Sequence, residues 1–205
     1  MQLKSICVYC GSSSGDNPEY MRAARVLGEE IAARDLTLVY GGGRVGLMGQ
    51  VARSALQNGG RVIGVIPKAL QDQELAFSEL AELRVVNSMH ERKAMMAELA
   101  DGFIALPGGY GTLEELFEVL TWSQLGLHVK PCGILNINHY YDRLLEFLDQ
   151  SVADHFIYQP HRDLILQAGS PAALLDVFAA YQPVRMNKAE WVRKMEDKPK
   201  DGSLL

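Results

Sequence analysis

The sequence is poor in cysteine, in long apolar runs and in positive charge, and each shortage removes a class of protein. Cys7, Cys10 and Cys132 are the three cysteines in 205 residues, too few for a disulfide framework and suited to a reducing compartment. Cys7 and Cys10 spell C-x-x-C, yet on a strand an odd offset sends them to opposite faces, and no second pair completes a metal site. No apolar run approaches the ~20 residues of a membrane-spanning helix. Residues 1–10 turn at once into an alternating strand, without the apolar stretch of a secretory signal. The expected location is therefore the cytoplasm, away from any membrane. Twenty Lys plus Arg against 25 Asp plus Glu leave a net charge of −5. Nucleic-acid binding rests on a broad basic surface, so no nucleic acid is expected as a partner, while a small anionic ligand in a local pocket is compatible with this balance. Internal repeats and low-complexity tracts are absent from the sequence.

What is present is regular alternation. Short β-branched runs at residues 6–9, 36–40, 62–66, 83–86, 103–106 and 133–135 read as strands, nearly continuous in apolar residues as strands covered on both faces should be. Helical patterns lie between them. One starts with Asn17 as cap and Pro18 in the first turn, and lines Met21, Ala24, Leu27 and Ile31 along one side. Two later helices are expected at about residues 140–153 and 171–181. The alternation predicts an α/β fold, a doubly wound parallel sheet in three Rossmann-like layers, with ligands at the carboxyl ends of the strands. Residues 1–183 read as a single nucleotide-binding domain. Residues 184–205, rich in charge, read as a partly disordered tail.

Three strands run into glycine-rich turns that open helices: Gly11-Ser12-Ser13-Ser14-Gly15, the loop from Gly41 to Gly49, and Pro107-Gly108-Gly109-Tyr110-Gly111-Thr112. Glycine lets backbone N–H groups approach a ligand, and a helix start adds unpaired donors and a dipole that favours an anion. Any one such turn could be purely geometric. Three at one sheet edge form a rim suited to phosphate. Gly41, Gly43 and Gly46 match G-x-G-x-x-G, but the next strand ends Ile66-Pro67-Lys68 instead of in the acidic residue that holds a dinucleotide's ribose. The same loop lacks the Lys-Ser/Thr of a P-loop. Gly11, Ser13 and Gly15 match the G-x-S-x-G nucleophile elbow, but that pattern needs an acid and then a histidine at later strand ends, and of the five histidines only His139, a few residues after Leu135, follows an expected strand.

Ser88 and Glu91 form a capping box that starts a helix. Arg92 then falls in its first turn on the stripe of Met96 and Leu99, pointing inward where a cation opposes the helix dipole and so calls for an anionic partner. That partner could be a structural carboxylate, a catalytic one or a substrate phosphate. Thr112 and Glu115 read as a second capping box behind the Pro-Gly-Gly loop. On the plainer reading Glu115 only satisfies the Thr112 amide. On the sharper one it is a carboxylate beside the anion rim, kept ionised by the dipole and able to stabilise a developing cation.

The runs Gly41 to Gly49, Met89-His90-Glu91-Arg92-Lys93-Ala94 and Pro107 to Glu115 resemble the three motifs of the Lonely Guy family, cytokinin riboside 5′-monophosphate phosphoribohydrolases long mislabelled as lysine decarboxylases. The resemblance spans residue 5 to about residue 181. It implies hydrolysis of the N-glycosidic bond of a cytokinin riboside 5′-monophosphate, and of AMP, to free adenine-type base and ribose 5-phosphate, without metal or organic cofactor. It places the catalytic pair on Arg92 and Glu115. It assigns substrate binding to Glu74, Lys93, Gly109, Tyr110, Gly111, Thr112 and Thr121, with Gly42, Gly43 and Gly46 near the phosphate. It also implies a homodimer, for which residues 121–125 are an interface candidate. Phe77 departs from the histidine that related sequences often carry there. The chain's own motifs leave two rivals open: a general AMP nucleosidase, and a nucleotide or cofactor carrier of the same fold. A pyridoxal-phosphate decarboxylase finds no second feature beyond Lys93.

Overall fold

The computed structural model describes residues 3–71, 76–77 and 79–183. In chain order the elements are β1 (Ser5–Tyr9), α1 (Pro18–Ala33), β2 (Thr37–Tyr40), α2 (Gly46–Gln57), β3 (Arg61–Pro67), α3 (Lys68–Gln71), β4 (Glu82–Val86) and α4 (Met89–Leu99). They continue with β5 (Phe103–Ala105), α5 (Tyr110–Gln124), β6 (Cys132–Leu135), a 3₁₀ turn (Ile137–His139), α6 (Asp142–Ala153), α7 (Gln159–Arg162), β7 (Ile165–Ala168) and α8 (Pro171–Ala180). The seven strands make one sheet in the order β4-β3-β2-β1-β5-β6-β7, with parallel pairing throughout. The expected doubly wound, three-layer α/β architecture is therefore what the chain adopts.

Alternation along the central strand separates two apolar layers. Ile6 and Val8 face Leu27 and Ile31 of α1, Val51 of α2 and Phe178 of α8. Cys7 and Tyr9 face Met96 of α4, Leu116 and Val119 of α5 and Leu145 of α6. Cys7 and Cys10 do lie on opposite sides of the sheet, and all three thiols are buried and unbonded. The helix starts follow their signals: the Asn17 side chain accepts from the Glu19 amide, and Pro18 is the first residue of α1.

Three expectations need correcting. The strand at 165–168 was not expected; a run as short as Ile165-Leu166-Gln167-Ala168 between two helical patterns carries little periodic signal, yet it forms the sheet edge beside β6. The helix expected from 140 begins at Asp142, because a 3₁₀ turn with Asn138 and His139 at positive φ precedes it. The Thr112–Glu115 capping box does not form: α5 starts at Tyr110 behind Gly109, without a side-chain cap, so both residues lie inside the helix. The expected tail, residues 184–205, lies outside the described residues.

Chain direction reverses its march across the sheet at β1. The chain runs outward from β1 to β4, then returns to place β5 on the other side of β1. The crevice above the β1/β5 junction is the topological switch point, where such folds bind ligands.

Candidate active site

A cavity of about 510 Å³ opens at that junction, walled by all three glycine loops, the start of α4 and the start of α5. The loops interlock through backbone hydrogen bonds. The Gly11 amide donates to the Pro107 carbonyl at 3.0 Å, and the Gly11 carbonyl accepts from the Leu47 amide at 3.1 Å. This revises the idea of three equivalent anion cradles, because the first amides of α2 are turned toward Gly11. The start of α5 is different. Its first helical bond runs from the Leu113 amide to the Gly109 carbonyl, which leaves the amides of Tyr110, Gly111 and Thr112 without an intrahelical acceptor at the cavity wall. That dipole end is where an anion gains most.

Arg92 and Glu115 meet in this cavity. Both are buried, and a guanidinium nitrogen of Arg92 lies 3.5 Å from the Glu115 carboxylate. Arg92 Nε donates to the Val65 carbonyl at 3.3 Å, which fixes the head group against β3. Gly41 makes this placement possible: a Cβ there would stand 1.9 Å from Arg92 Nη2. The loop glycine read as a phosphate cradle thus also makes room for a cation. At 3.5 Å the pair attracts without saturating either partner, so both keep hydrogen-bonding capacity for a ligand.

The dipole does not hold Glu115 ionised, as the sequence suggested. Burial is the largest influence on it and pushes the carboxyl up to about 6, with Glu114 and Glu118 adding to the rise and Arg92 and Lys93 opposing it. The reason is the helix start: with α5 beginning at Tyr110, Glu115 sits in the second turn, facing the packed interior instead of the terminus.

Of the residues expected at the site, Arg92, Glu115, Gly43, Gly109, Tyr110, Gly111 and Thr112 line the cavity. Tyr110 stands at the rim, 95% exposed. Gly42 and Gly46 shape the loop from behind, both at positive φ, and the Gly42 carbonyl accepts the Phe77 amide at 2.9 Å. Phe77 is buried away from the cavity, with the Arg53 guanidinium over its ring. Lys93 is buried beside the cavity wall, its ammonium bound to Glu114 and, at 3.0 Å, to Glu118. Thr121 is exposed farther along α5, its hydroxyl donating to the Phe117 carbonyl, and does not line the cavity. Glu74 lies outside the described residues.

Sequence reasoning sought polar groups and so passed over the apolar wall formed by Val45, Met48, Ile66, Leu70 and Met89. Their signal was present, since Met48 and Met89 fall inside two of the motifs. It also missed two tyrosines that brace the Pro-Gly-Gly loop from behind: Tyr140 donates to the Gly108 carbonyl at 2.8 Å, and Tyr141 to the Leu106 carbonyl at 2.7 Å. A polar, cationic and anionic floor under an apolar wall can take an amphiphilic ligand with a charged end. Among the described residues, no group of three or more His, Cys, Asp or Glu is arranged to hold a metal ion.

The chain is similar to known proteins in family, in sequence and in fold. A family model described as "Possible lysine decarboxylase" matches residues 48–178. A probable cytokinin riboside 5′-monophosphate phosphoribohydrolase of Oryza sativa subsp. japonica is 52% identical over 183 residues, covering 89% of this chain and 81% of the relative. A cytokinin riboside 5′-monophosphate phosphoribohydrolase of Arabidopsis thaliana is 50% identical over 182 residues, covering 89% and 84%. Among solved structures, the molybdenum cofactor binding protein of Rippkaea orientalis superposes with a TM-score of 0.66 at 22% identity, covering 88% of this chain and 98% of that one. The molybdenum cofactor carrier protein of Chlamydomonas reinhardtii gives 0.66 at 20% identity, covering 88% and 100%. At those identities the two structures are similar in fold alone.

Proposed function

The chain belongs to the family of the cytokinin riboside 5′-monophosphate phosphoribohydrolases, and on that premise we propose that it hydrolyses the N-glycosidic bond of cytokinin riboside 5′-monophosphates, and of AMP, releasing the adenine-type base and ribose 5-phosphate. The observation that carries the catalytic assignment is the buried Arg92–Glu115 pair inside the cavity at the β1/β5 junction.

The 5′-phosphate binds at the start of α5, where the amides of residues 110–112 are available. Holding the phosphate fixes the sugar, so that binding energy from a non-reacting group orients the anomeric carbon. As the C1′–N bond breaks, the electron pair leaves with the base and positive charge grows on the ribosyl ring. A carboxylate that titrates at about 6 is mostly ionised at neutral pH and stabilises that charge. Water completes the reaction: its oxygen bonds to C1′, one proton goes to the departing base, and Glu115 orients the attacking molecule. Arg92 lowers the cost of keeping Glu115 charged and contacts the substrate. The apolar wall of Met48, Ile66, Leu70 and Met89 receives the base and its N6 substituent. A Schiff-base role would need a lysine amine presented to the cavity, whereas the Lys93 amine is engaged by two carboxylates.

The proposed working unit is a homodimer of residues 1–183 in the cytoplasm. Leu125 and Leu127, 46% and 70% exposed at the end of α5, support a buried contact there. Three buried unbonded thiols support a reducing location. The deciding experiment is chromatographic detection of free base and ribose 5-phosphate from isopentenyladenosine 5′-monophosphate and from AMP. Equal rates on both would make the protein a general AMP nucleosidase, and tight nucleotide binding without turnover would make it a carrier.

A further inference from the structure

Four successive carbonyls of the loop between β5 and α5 are each held by a different donor. The Leu106 carbonyl accepts from the Tyr141 hydroxyl at 2.7 Å, the Pro107 carbonyl from the Gly11 amide at 3.0 Å, the Gly108 carbonyl from the Tyr140 hydroxyl at 2.8 Å and the Gly109 carbonyl from the Leu113 amide at 3.1 Å. The two tyrosines come from the turn after β6. In that turn Asn138 and His139 both take positive φ, 51° and 61°, a conformation rare outside glycine and costly to hold. Asn136 offsets the strain: its side chain accepts from the Tyr141 amide at 2.8 Å and donates to Asp142 at 2.6 Å, and His139 Nδ1 lies 2.9 Å from the same carboxylate. The Tyr140 and Tyr141 rings meet edge to face at 4.9 Å, and Tyr20 packs on Tyr140 in the same way at 5.6 Å, so the hydroxyls reach the loop from a braced pair.

The two hydroxyls act differently, because a peptide unit is planar and trans: holding its carbonyl on one side sends its N–H to the other. The Leu106 carbonyl shares its peptide unit with Pro107, which has no N–H. Tyr141, 2% exposed, thus satisfies a buried carbonyl and aims no donor. The Gly108 carbonyl shares its peptide unit with the Gly109 amide. Gly109 lines the cavity and Tyr140 does not, so a bond to the carbonyl from the Tyr140 side turns that amide toward the cavity. Tyr140 is 42% exposed, with water within reach of its ring, so burial alone does not enforce its bond to Gly108. We propose that Tyr140 is a positioning residue for the phosphate site: by holding the Gly108 carbonyl it brings the Gly109 amide into line with those of residues 110–112 and adds one aimed donor to the anion rim at the start of α5.

This role rests on the proposed binding of the 5′-phosphate at that helix start, so phosphate binding is read apart from turnover. Wild type, Tyr140→Phe and Tyr141→Phe, each carrying isotopically labelled glycine, are titrated by NMR with ribose 5-phosphate and separately with adenosine, which present the phosphate and the base apart. The Gly109 amide is assigned by its loss in Gly109→Ala, where a Cβ meets nothing within 4 Å. Tyr140→Phe keeps the ring and its two aromatic contacts, and its melting temperature should match wild type. In that variant the Gly109 response to ribose 5-phosphate should shrink and the affinity fall by roughly five- to tenfold, with adenosine binding unchanged. KM for AMP should rise by a similar factor while kcat holds within about twofold. Tyr141→Phe should do the reverse, melting a few degrees lower with ribose 5-phosphate bound as in wild type. A Gly109 amide that answers ribose 5-phosphate equally in Tyr140→Phe and wild type would overturn the role, as would an equal loss of affinity in both tyrosine variants or for both ligands. A wild-type Gly109 amide unmoved by ribose 5-phosphate overturns it too, and base release from AMP by that protein would leave the hydrolase reading intact. Conversely, a Gly109 response that depends on Tyr140 in a protein without turnover would defeat the hydrolase reading and leave the positioning role standing.

Discussion

Replacing Glu115 by glutamine should make the protein more stable at neutral pH and inactive at the same time. Burial raises this carboxyl from 4.5 in an open chain to about 6 in the fold. Each unit of such a shift corresponds to about 1.4 kcal/mol, so the ionised side chain costs the fold about 2 kcal/mol at pH 7. The direction follows from proton uptake: the folded form binds this proton more tightly than the unfolded one, so the cost is fully present above the folded value and fades as pH falls toward 4.5. Glutamine keeps the shape, carries no charge to bury, and leaves Arg92 anchored on the Val65 carbonyl. For a chain of this size the gain amounts to a melting temperature higher by about 4–8 °C at pH 7. It should fall below about 1 kcal/mol at pH 5 and come close to zero at pH 4. Thermal and urea unfolding of both proteins at the three pH values measures this. A variant no more stable than wild type at pH 7, or a gain that does not depend on pH, would refute the account of Glu115 as a charge held against its environment.

Arg92→Ala removes the strongest influence opposing that burial, so Glu115 should titrate higher and turnover at pH 7 should fall by about a hundredfold or more; base release within a few-fold of wild type would contradict it. Gly41→Ala introduces a methyl 1.9 Å from Arg92 Nη2, which must displace the guanidinium. A loss of about tenfold in kcat/KM with an unchanged circular dichroism spectrum is expected, and wild-type kinetics would mean that the guanidinium position does not matter. Met89→Ser makes the apolar wall polar at a half-exposed position. It should raise KM for isopentenyladenosine 5′-monophosphate several-fold while leaving AMP nearly unaffected; equal effects on both would place the N6 substituent elsewhere.

The sheet was largely legible because buried parallel strands announce themselves as apolar runs, and turns such as Gly11-Ser12 and Pro107-Gly108 mark where they end. Arg92 was legible for a sharper reason. A cation in a first turn, on an inward stripe, demands an anion, and Glu115 supplies it. Glu115 does lie beside Arg92 in the cavity, but its place in the helix was read wrongly, because T-x-x-E imitates a capping box while Gly109 starts the helix earlier. The Lys93 clamp could not be read from spacing: Glu114 and Glu118 are 21 and 25 residues away in the chain, and only the packing of α4 on α5 tells which side of each helix they share. Tyr140 and Tyr141 were hidden similarly, since their hydroxyls reach back 32 and 35 residues to the loop after β5.

The site itself argues against a role limited to holding a nucleotide. A carrier needs the glycine loops and the start of α5, which supply amides and a favourable dipole for phosphate. A buried carboxylate in the same cavity works against it, since at neutral pH its negative charge repels an anionic ligand and, by the value above, weakens the fold. Such a group is useful only where positive charge appears in passing, as on a ribosyl ring losing its base, because there the interaction is stronger in the transition state than in the ground state. The α4 and α5 side chains are arranged accordingly: Arg92 opposes the effect of burial on Glu115, and Lys93 is bound by Glu114 and Glu118. On the proposed hydrolysis, the fold supplies the place for a phosphate, and the Arg92–Glu115 pair supplies the chemistry.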